Sequence, residues 1–146
     1  KNSMIFIDYA HTPDAVLNVL NAAHEFKKNK IYTVLGCGGN RDREKRGKMG
    51  AIATKLSDYV IFTNDNPRFE NDEQIMNDIV KDLNVINYEV EYDRSIAIRK
   101  GIDLLKNYDM LFILGKGHEN YQIVGDKRYH FDDKEEAIKY IKEKSS

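Results

Sequence analysis

The sequence predicts an α/β fold: a Rossmann-like, doubly wound, mostly parallel sheet with an antiparallel edge strand or hairpin near the C-terminus. Three observations predict it. Strand-like apolar runs and helix-like periodic segments alternate along the whole chain, with no repeat and no low-complexity linker. Runs such as Tyr59-Val60-Ile61-Phe62 and Met110-Leu111-Phe112-Ile113-Leu114 are continuously apolar, as in buried strands. Polar segments rich in glycine or bearing proline follow the strands, where open α/β sheets place their ligands.

Each element has a local reason. Met4-Ile5-Phe6-Ile7 is the first strand. Thr12-Pro13 opens a helix, because threonine caps helix starts and proline suits the first turn. Val16, Val19, Leu20 and Ala23 share one face of that helix. The second strand runs from Ile31 to Leu35 and enters a glycine-rich loop, Gly36 to Arg43. The second helix carries Met49, Ile52, Ala53 and Leu56 on its buried stripe. Tyr59 to Phe62 is the third strand, and its helix is expected to bury Ile75, Ile79, Val80 and Leu83. A weaker fourth strand lies around Ile86 to Val90, followed by a helix with Ile98, Ile102 and Leu105 on one side. Met110 to Leu114 is the most apolar strand. Tyr121 to Val124 and Lys127 to Phe131 form a hairpin, with Gly125-Asp126 suiting a two-residue type II′ turn. The last helix is expected to bury Ala137, Ile138 and Ile141.

The chain has 146 residues, enough for one domain with a proper core, and residues 1–146 are read as that single domain. Apolar residues make up 41% and charged residues 32%, the balance of a globular domain rather than a disordered one. A formal net charge of -1 gives no general pull toward nucleic acid or an anionic membrane. Cys37 is alone, so no internal disulfide forms, and a reducing compartment is the simpler expectation. No apolar run reaches membrane-spanning length. The chain begins without methionine and enters a strand almost at once, which suggests a piece of a longer polypeptide.

The stretch richest in chemistry is Asp65-Asn66-Pro67-Arg68, at the end of the third strand. Arg68 offers a planar fork for a carboxylate or phosphate, and Asp65 can accept from an ammonium. Together they suit a zwitterionic head such as that of an amino acid. The same residues also suit an Asx-type turn with a solvated arginine. Gly36-Cys37-Gly38-Gly39 allows close backbone approach to an anion, or a tight turn. Arg41, Arg43, Lys45 and Arg46 crowd a helix start, where positive charge is disfavoured and an anionic partner would relieve the conflict. Gly115-Lys116-Gly117-His118-Glu119 is not a Walker loop, since Gly-x-x-x-x-Gly-Lys-Ser/Thr occurs nowhere in the chain. His118 and Glu119 are too few for a metal site. No nucleophile triad is visible. Asp8 to Thr12, Gly36 to Arg43, Asn64 to Arg68, Tyr92 to Arg94 and Gly115 to Glu119 all fall at carboxyl ends of strands, which argues for one composite site.

Asp8-Tyr9-Ala10-His11-Thr12-Pro13, Gly36-Cys37-Gly38-Gly39-Asn40-Arg41-Asp42, Asp65-Asn66-Pro67-Arg68 and Gly115-Lys116-Gly117-His118-Glu119-x-Tyr121-Gln122 occur in that order. In register they closely resemble the C-terminal domain of the Mur ligases, over nearly the whole chain, and within that family the members that add meso-diaminopimelate. The resemblance implies a cytoplasmic, ATP-dependent amide-bond ligase of peptidoglycan precursor synthesis. It has three domains: one for the UDP-sugar, a central ATPase with the phosphate loop and magnesium sites, and this one. The family reaction activates the D-glutamyl γ-carboxylate of UDP-MurNAc-dipeptide as an acyl phosphate, which the incoming amine attacks.

By the same resemblance, Asp65, Asn66, Pro67 and Arg68 match the diaminopimelate motif, and Arg41, Gly115 and Glu119 match further positions that contact this amino acid. Asp8 and His11 match the segment that meets the ribose and adenine side of ATP. No catalytic residue and no metal ligand is expected in this domain. ATP and Mg2+ are cofactors of the full-length enzyme, and the fragment alone is not expected to turn over. Lanthionine, with the same two charged ends, would meet the same groups. Two rivals are a folylpolyglutamate synthetase-like C-terminal domain and a non-enzymatic α/β module that binds a nucleotide or amino acid.

Overall fold

A computed structural model describes residues 2–37, 43–66, 69–117, 119–124 and 126–145. Five parallel strands make the main sheet: β1 (Met4–Asp8), β2 (Ile31–Cys37), β3 (Tyr59–Asn64), β4 (Tyr88–Val90) and β5 (Met110–Leu114). Their order is β1-β5-β2-β3-β4. Five helices connect or follow them: α1 (Pro13–Glu25), α2 (Glu44–Leu56), α3 (Asp72–Val80), α4 (Arg94–Leu104) and α5 (Asp133–Ser145).

Handedness explains the layering. From β1 to β4 the chain steps across the sheet in one direction, so right-handed crossovers put α1, α2 and α3 on one face. The return from β4 to β5 runs the other way and puts α4 on the opposite face, where α5 packs beside it. Side chains along the central strands alternate between the two layers. Met110, Phe112 and Leu114 of β5 join the core under α1 to α3, and Leu111 and Ile113 join the core under α4 and α5. Burial of such a side chain contributes about 1.5–3 kcal/mol relative to exposure.

Three helix starts are capped by side chains, the first at the Thr12-Pro13 signal read from the sequence. Thr12 accepts from the Ala15 amide with Pro13 in the first turn, Asn71 accepts from the Glu73 and Gln74 amides, and Asp93 accepts from the Ile96 amide. Four details differ from the sequence expectation. β2 continues through Gly36 and Cys37, because both pair with β3, at Thr63 and Asn64. β4 has three residues, and Ile86 is 97% exposed before it. Leu83 packs from the turn after α3 rather than from the helix. In α5 only Ala137 of the three expected residues is buried; Ile138 and Ile141 are exposed. That helix meets the domain on one flank, along Asp133, Ala137 and Tyr140.

The late hairpin, β6 (Tyr121–Val124) and β7 (Lys127–His130), is antiparallel as expected. It forms its own two-stranded sheet and does not extend the edge of the main one. Parallel register places Asp8, Leu114, Leu35 and the Cys37–Asn64 pair at one end of the sheet. β1, β2, β3 and β5 therefore end along one rim.

Candidate functional site

The centre of the rim is Asp65-Asn66, just past β3. Both residues are buried, at 6% and 3% exposure. Lys116, from the segment after β5, is wholly buried against them. Its Nζ lies 3.1 Å from Asp65 Oδ1 and 3.3 Å from Asn66 Oδ1, and it also donates to the Tyr121 carbonyl. Asn66 Oδ1 accepts from the Ile123 amide at 2.9 Å, and the Asp65 carbonyl accepts from Gln122 Nε2 at 2.8 Å. Side-chain bonds thus hang the hairpin on the β3 loop. The ammonium beside Asp65 belongs to the chain itself, a pairing that sequence reasoning missed: Lys116 was legible only as part of a glycine-rich loop.

Gly115 holds the two loops close. Its φ is +112°, and a Cβ there would lie 3.0 Å from the Gly36 carbonyl oxygen and 3.8 Å from Asp65 Oδ2. Both the backbone conformation and the approach require glycine. Gly115→Ala is expected to cost about 1–3 kcal/mol in urea denaturation, because the obstructing atom is backbone. A variant as stable as the parent would contradict this packing. Glu119 completes this side of the rim. Its amide donates to the Lys116 carbonyl at 3.1 Å, and its Oε2 accepts from the Tyr121 hydroxyl at 3.3 Å.

The β1 end adjoins it. Gly115 N donates to the Asp8 carbonyl at 3.2 Å. The Asp8 side chain is at an exposed strand end, and its Oδ1 accepts from the Ala10 amide at 2.8 Å. His11 is exposed, with Nδ1 2.9 Å from the Tyr9 carbonyl and its ring 4.4 Å from the Tyr9 ring. A carboxylate at an exposed strand end has the chemistry to accept from a ribose hydroxyl.

Three cations from the rim segments or the basic patch pair within the fold. Arg94 is buried beneath the rim. It makes a two-point contact with Asp133, at 2.7 and 2.8 Å, and donates to the Asn64 and Leu114 carbonyls. Burial alone would lower the pKa of its guanidinium, but Asp133 outweighs that and holds it above the ordinary value. Gly36 makes room for it, since a Cβ would lie 2.8 Å from Arg94 Nη1. The basic helix start finds its anions internally. Arg46, 2% exposed, pairs with Glu70 at 2.6 Å and Asp78 at 2.9 Å, and Arg43 reaches Asp78 at 3.0 Å. The hydrogen bond from Arg43, aided by Arg46, holds the Asp78 carboxyl below the usual range. Cys37 is buried at the end of β2, and burial pushes its thiol up to about 12, which leaves it unreactive.

Asp65, Asn66, Gly115, Glu119 and Asp8 are thus gathered along one rim, with His11 three residues past Asp8 and exposed. Arg41, Pro67, Arg68 and His118 lie outside the described residues, as does Gly125 of the hairpin turn. Among the described residues no group of three or more His, Cys, Asp or Glu could hold a metal ion, and no helix is long and apolar enough to cross a membrane.

The family model described as "Mur ligase, glutamate ligase domain" matches residues 1–117. The chain belongs to the Mur ligase family. Its relatives include UDP-N-acetylmuramoyl-L-alanyl-D-glutamate–2,6-diaminopimelate ligase 2 of Clostridium acetobutylicum, 53% identical over 92% of this chain and 28% of that protein. The ligase of the same name from Clostridioides difficile is 51% identical over 94% of this chain and 29% of its own length. A solved structure of such a diaminopimelate ligase matches all of this chain and 30% of its own, with 37% identity and a TM-score of 0.95. Escherichia coli FolC in complex with ADP shares the fold at 18% identity, with a TM-score of 0.57 over 76% of this chain and 25% of its own. The domain therefore spans under a third of the length of the Mur ligases it matches, and it carries the fold of their C-terminal domain.

Proposed function

We propose that this domain holds the incoming amino acid, meso-diaminopimelate, in a cytoplasmic ATP-dependent ligase that joins it to UDP-N-acetylmuramoyl-L-alanyl-D-glutamate. The observation that carries the reading is the gathering of Asp65, Asn66, Gly115 and Glu119 on one rim in a member of this family. Relatives about half identical over nearly the whole chain, named as diaminopimelate ligases, support the choice of amino acid.

The work of the domain is positioning. Arg68, two residues past Asn66 in sequence, and Arg41 offer forks for the two carboxylates of the substrate, and Glu119 offers a carboxylate to an ammonium. Held so, the amine meets an acyl phosphate formed elsewhere in the ligase, and the attack gains the advantage of proximity. Asp8 and His11 face the ribose and adenine side of ATP. The phosphates and Mg2+ belong to the ATPase domain of the full-length enzyme, and the UDP-MurNAc-dipeptide to its other domains.

Arg68→Ala in the full-length ligase tests the reading. Loss of a charge-assisted bond, roughly 1.5–3 kcal/mol, should raise the KM for diaminopimelate at least about tenfold while the KM for ATP holds. Unchanged kinetics would remove Arg68 from the site. An amino acid panel run alongside separates diaminopimelate from lysine, lanthionine and glutamate, and use of glutamate alone would favour a folylpolyglutamate synthetase-like role.

A further inference from the structure

Lys116 is a buried cation that the amino-acid reading leaves without a task. Its side chain has no exposed surface. An ammonium is costly to bury unless its three N–H groups find acceptors. Lys116 Nζ donates to two, Asn66 Oδ1 and the Tyr121 carbonyl, and its charge is met by Asp65 Oδ1 at 3.1 Å as an ion pair. They come from the loop after β3 and from the first residue of β6, whereas Lys116 itself follows β5. The acceptors are themselves cross-tied. Asn66 Oδ1 also takes the Ile123 amide, and the Asp65 carbonyl takes Gln122 Nε2.

We infer that Lys116 is the positioning residue of the site: its ammonium takes up the charge of Asp65 and locks the Asp65-Asn66 segment and β6 into one rigid rim. The inference rests on the reading that this rim holds the amino acid, and it refines that reading. Asp65 acts through Lys116 as part of the scaffold, and the task of meeting a substrate ammonium passes to Glu119, three residues further along the same loop.

Lys116→Met keeps the apolar stem and removes the charge. In the full-length ligase it should raise the KM for diaminopimelate at least about tenfold and leave the KM for ATP within about twofold. Adding Asp65→Asn should recover about threefold or more, since it removes the carboxylate stranded by the first change. A folded Lys116→Met enzyme with a KM for diaminopimelate within about twofold of the parent overturns the inference. Hydrogen exchange on the present 146-residue chain supplies an independent arm. The Ile123 amide should exchange at least about tenfold faster in Lys116→Met, while the Val34 and Ile113 amides change less than about threefold. Equal acceleration everywhere would mean general destabilisation and would overturn the inference. If the parent ligase does not use diaminopimelate, the substrate reading falls and the exchange arm alone decides the role of Lys116. Should Lys116→Met not fold, Asp65→Asn carries the same exchange test.

Discussion

Arg94→Ala destabilises the domain by roughly 3–5 kcal/mol, the expected cost of breaking a fully buried ion pair from one side. Neither Arg94 nor Asp133 has exposed side-chain surface, so the orphaned carboxylate would have no water to turn to. The loss extends beyond the pair. Arg94 also donates to the carbonyls of Asn64 and Leu114, the last residues of β3 and β5. Those two strands deliver Asp65 and Gly115 to the rim. Equilibrium urea denaturation measures the effect, and a loss under about 1 kcal/mol would show that the pair is dispensable. Arg94→Met with Asp133→Leu should recover much of the stability, because replacing both partners removes both desolvation costs. The restored stability should come with a looser rim, since the two carbonyls remain without their donor.

The second large effect is at Arg46. Arg46→Met should cost roughly 2–4 kcal/mol, less than a fully enclosed pair because Glu70 reaches water at 17% side-chain exposure. This change has a pH signature. Hydrogen bonds, chiefly from Arg43 and then from Arg46, depress the pKa of Asp78 in the folded state. Its unfolded value is about 3.9. A depressed carboxylate stabilises fully above that value, and the contribution fades as the pH falls through the folded pKa. The variant lacks the Arg46 share, so the gap between parent and variant should narrow from pH 7 toward pH 3. Urea midpoints at both values test this, and a gap that widens in acid would refute the pairing. Arg46→Met/Glu70→Gln should be more stable than Arg46→Met alone, because one stranded charge is gone.

The fold was legible because it is written in local patterns. Continuous apolar runs marked β3 and β5, and Thr12-Pro13 marked the start of α1. The errors have physical causes. In α5 the buried face begins with Asp133, a carboxylate that apolar spacing cannot flag, so the periodic reading turned the helix toward Ile138 and Ile141. The shared placement of the segments was legible, since Asp65, Asn66, Gly115 and Glu119 do lie along one rim. Its wiring was not. Arg46 meets partners 24 and 32 residues away, and Arg94 meets one 39 residues away. Pairings at such separation depend on topology, which charge composition does not encode. Buried cations therefore looked like free ones: Arg46 was read in a basic patch open to an anionic partner and Arg94 as part of a rim segment, whereas both pair within the scaffold.

The hairpin shares no backbone ladder with the five-stranded sheet. Among the described residues, side-chain atoms of Asn66, Lys116 and Gln122 supply its ties to the β3 loop. Breaking a handful of such links costs far less than peeling away a strand. Local opening of the hairpin should therefore cost less than melting the slab behind it, and its outer amides should exchange with solvent ahead of those in the central strands.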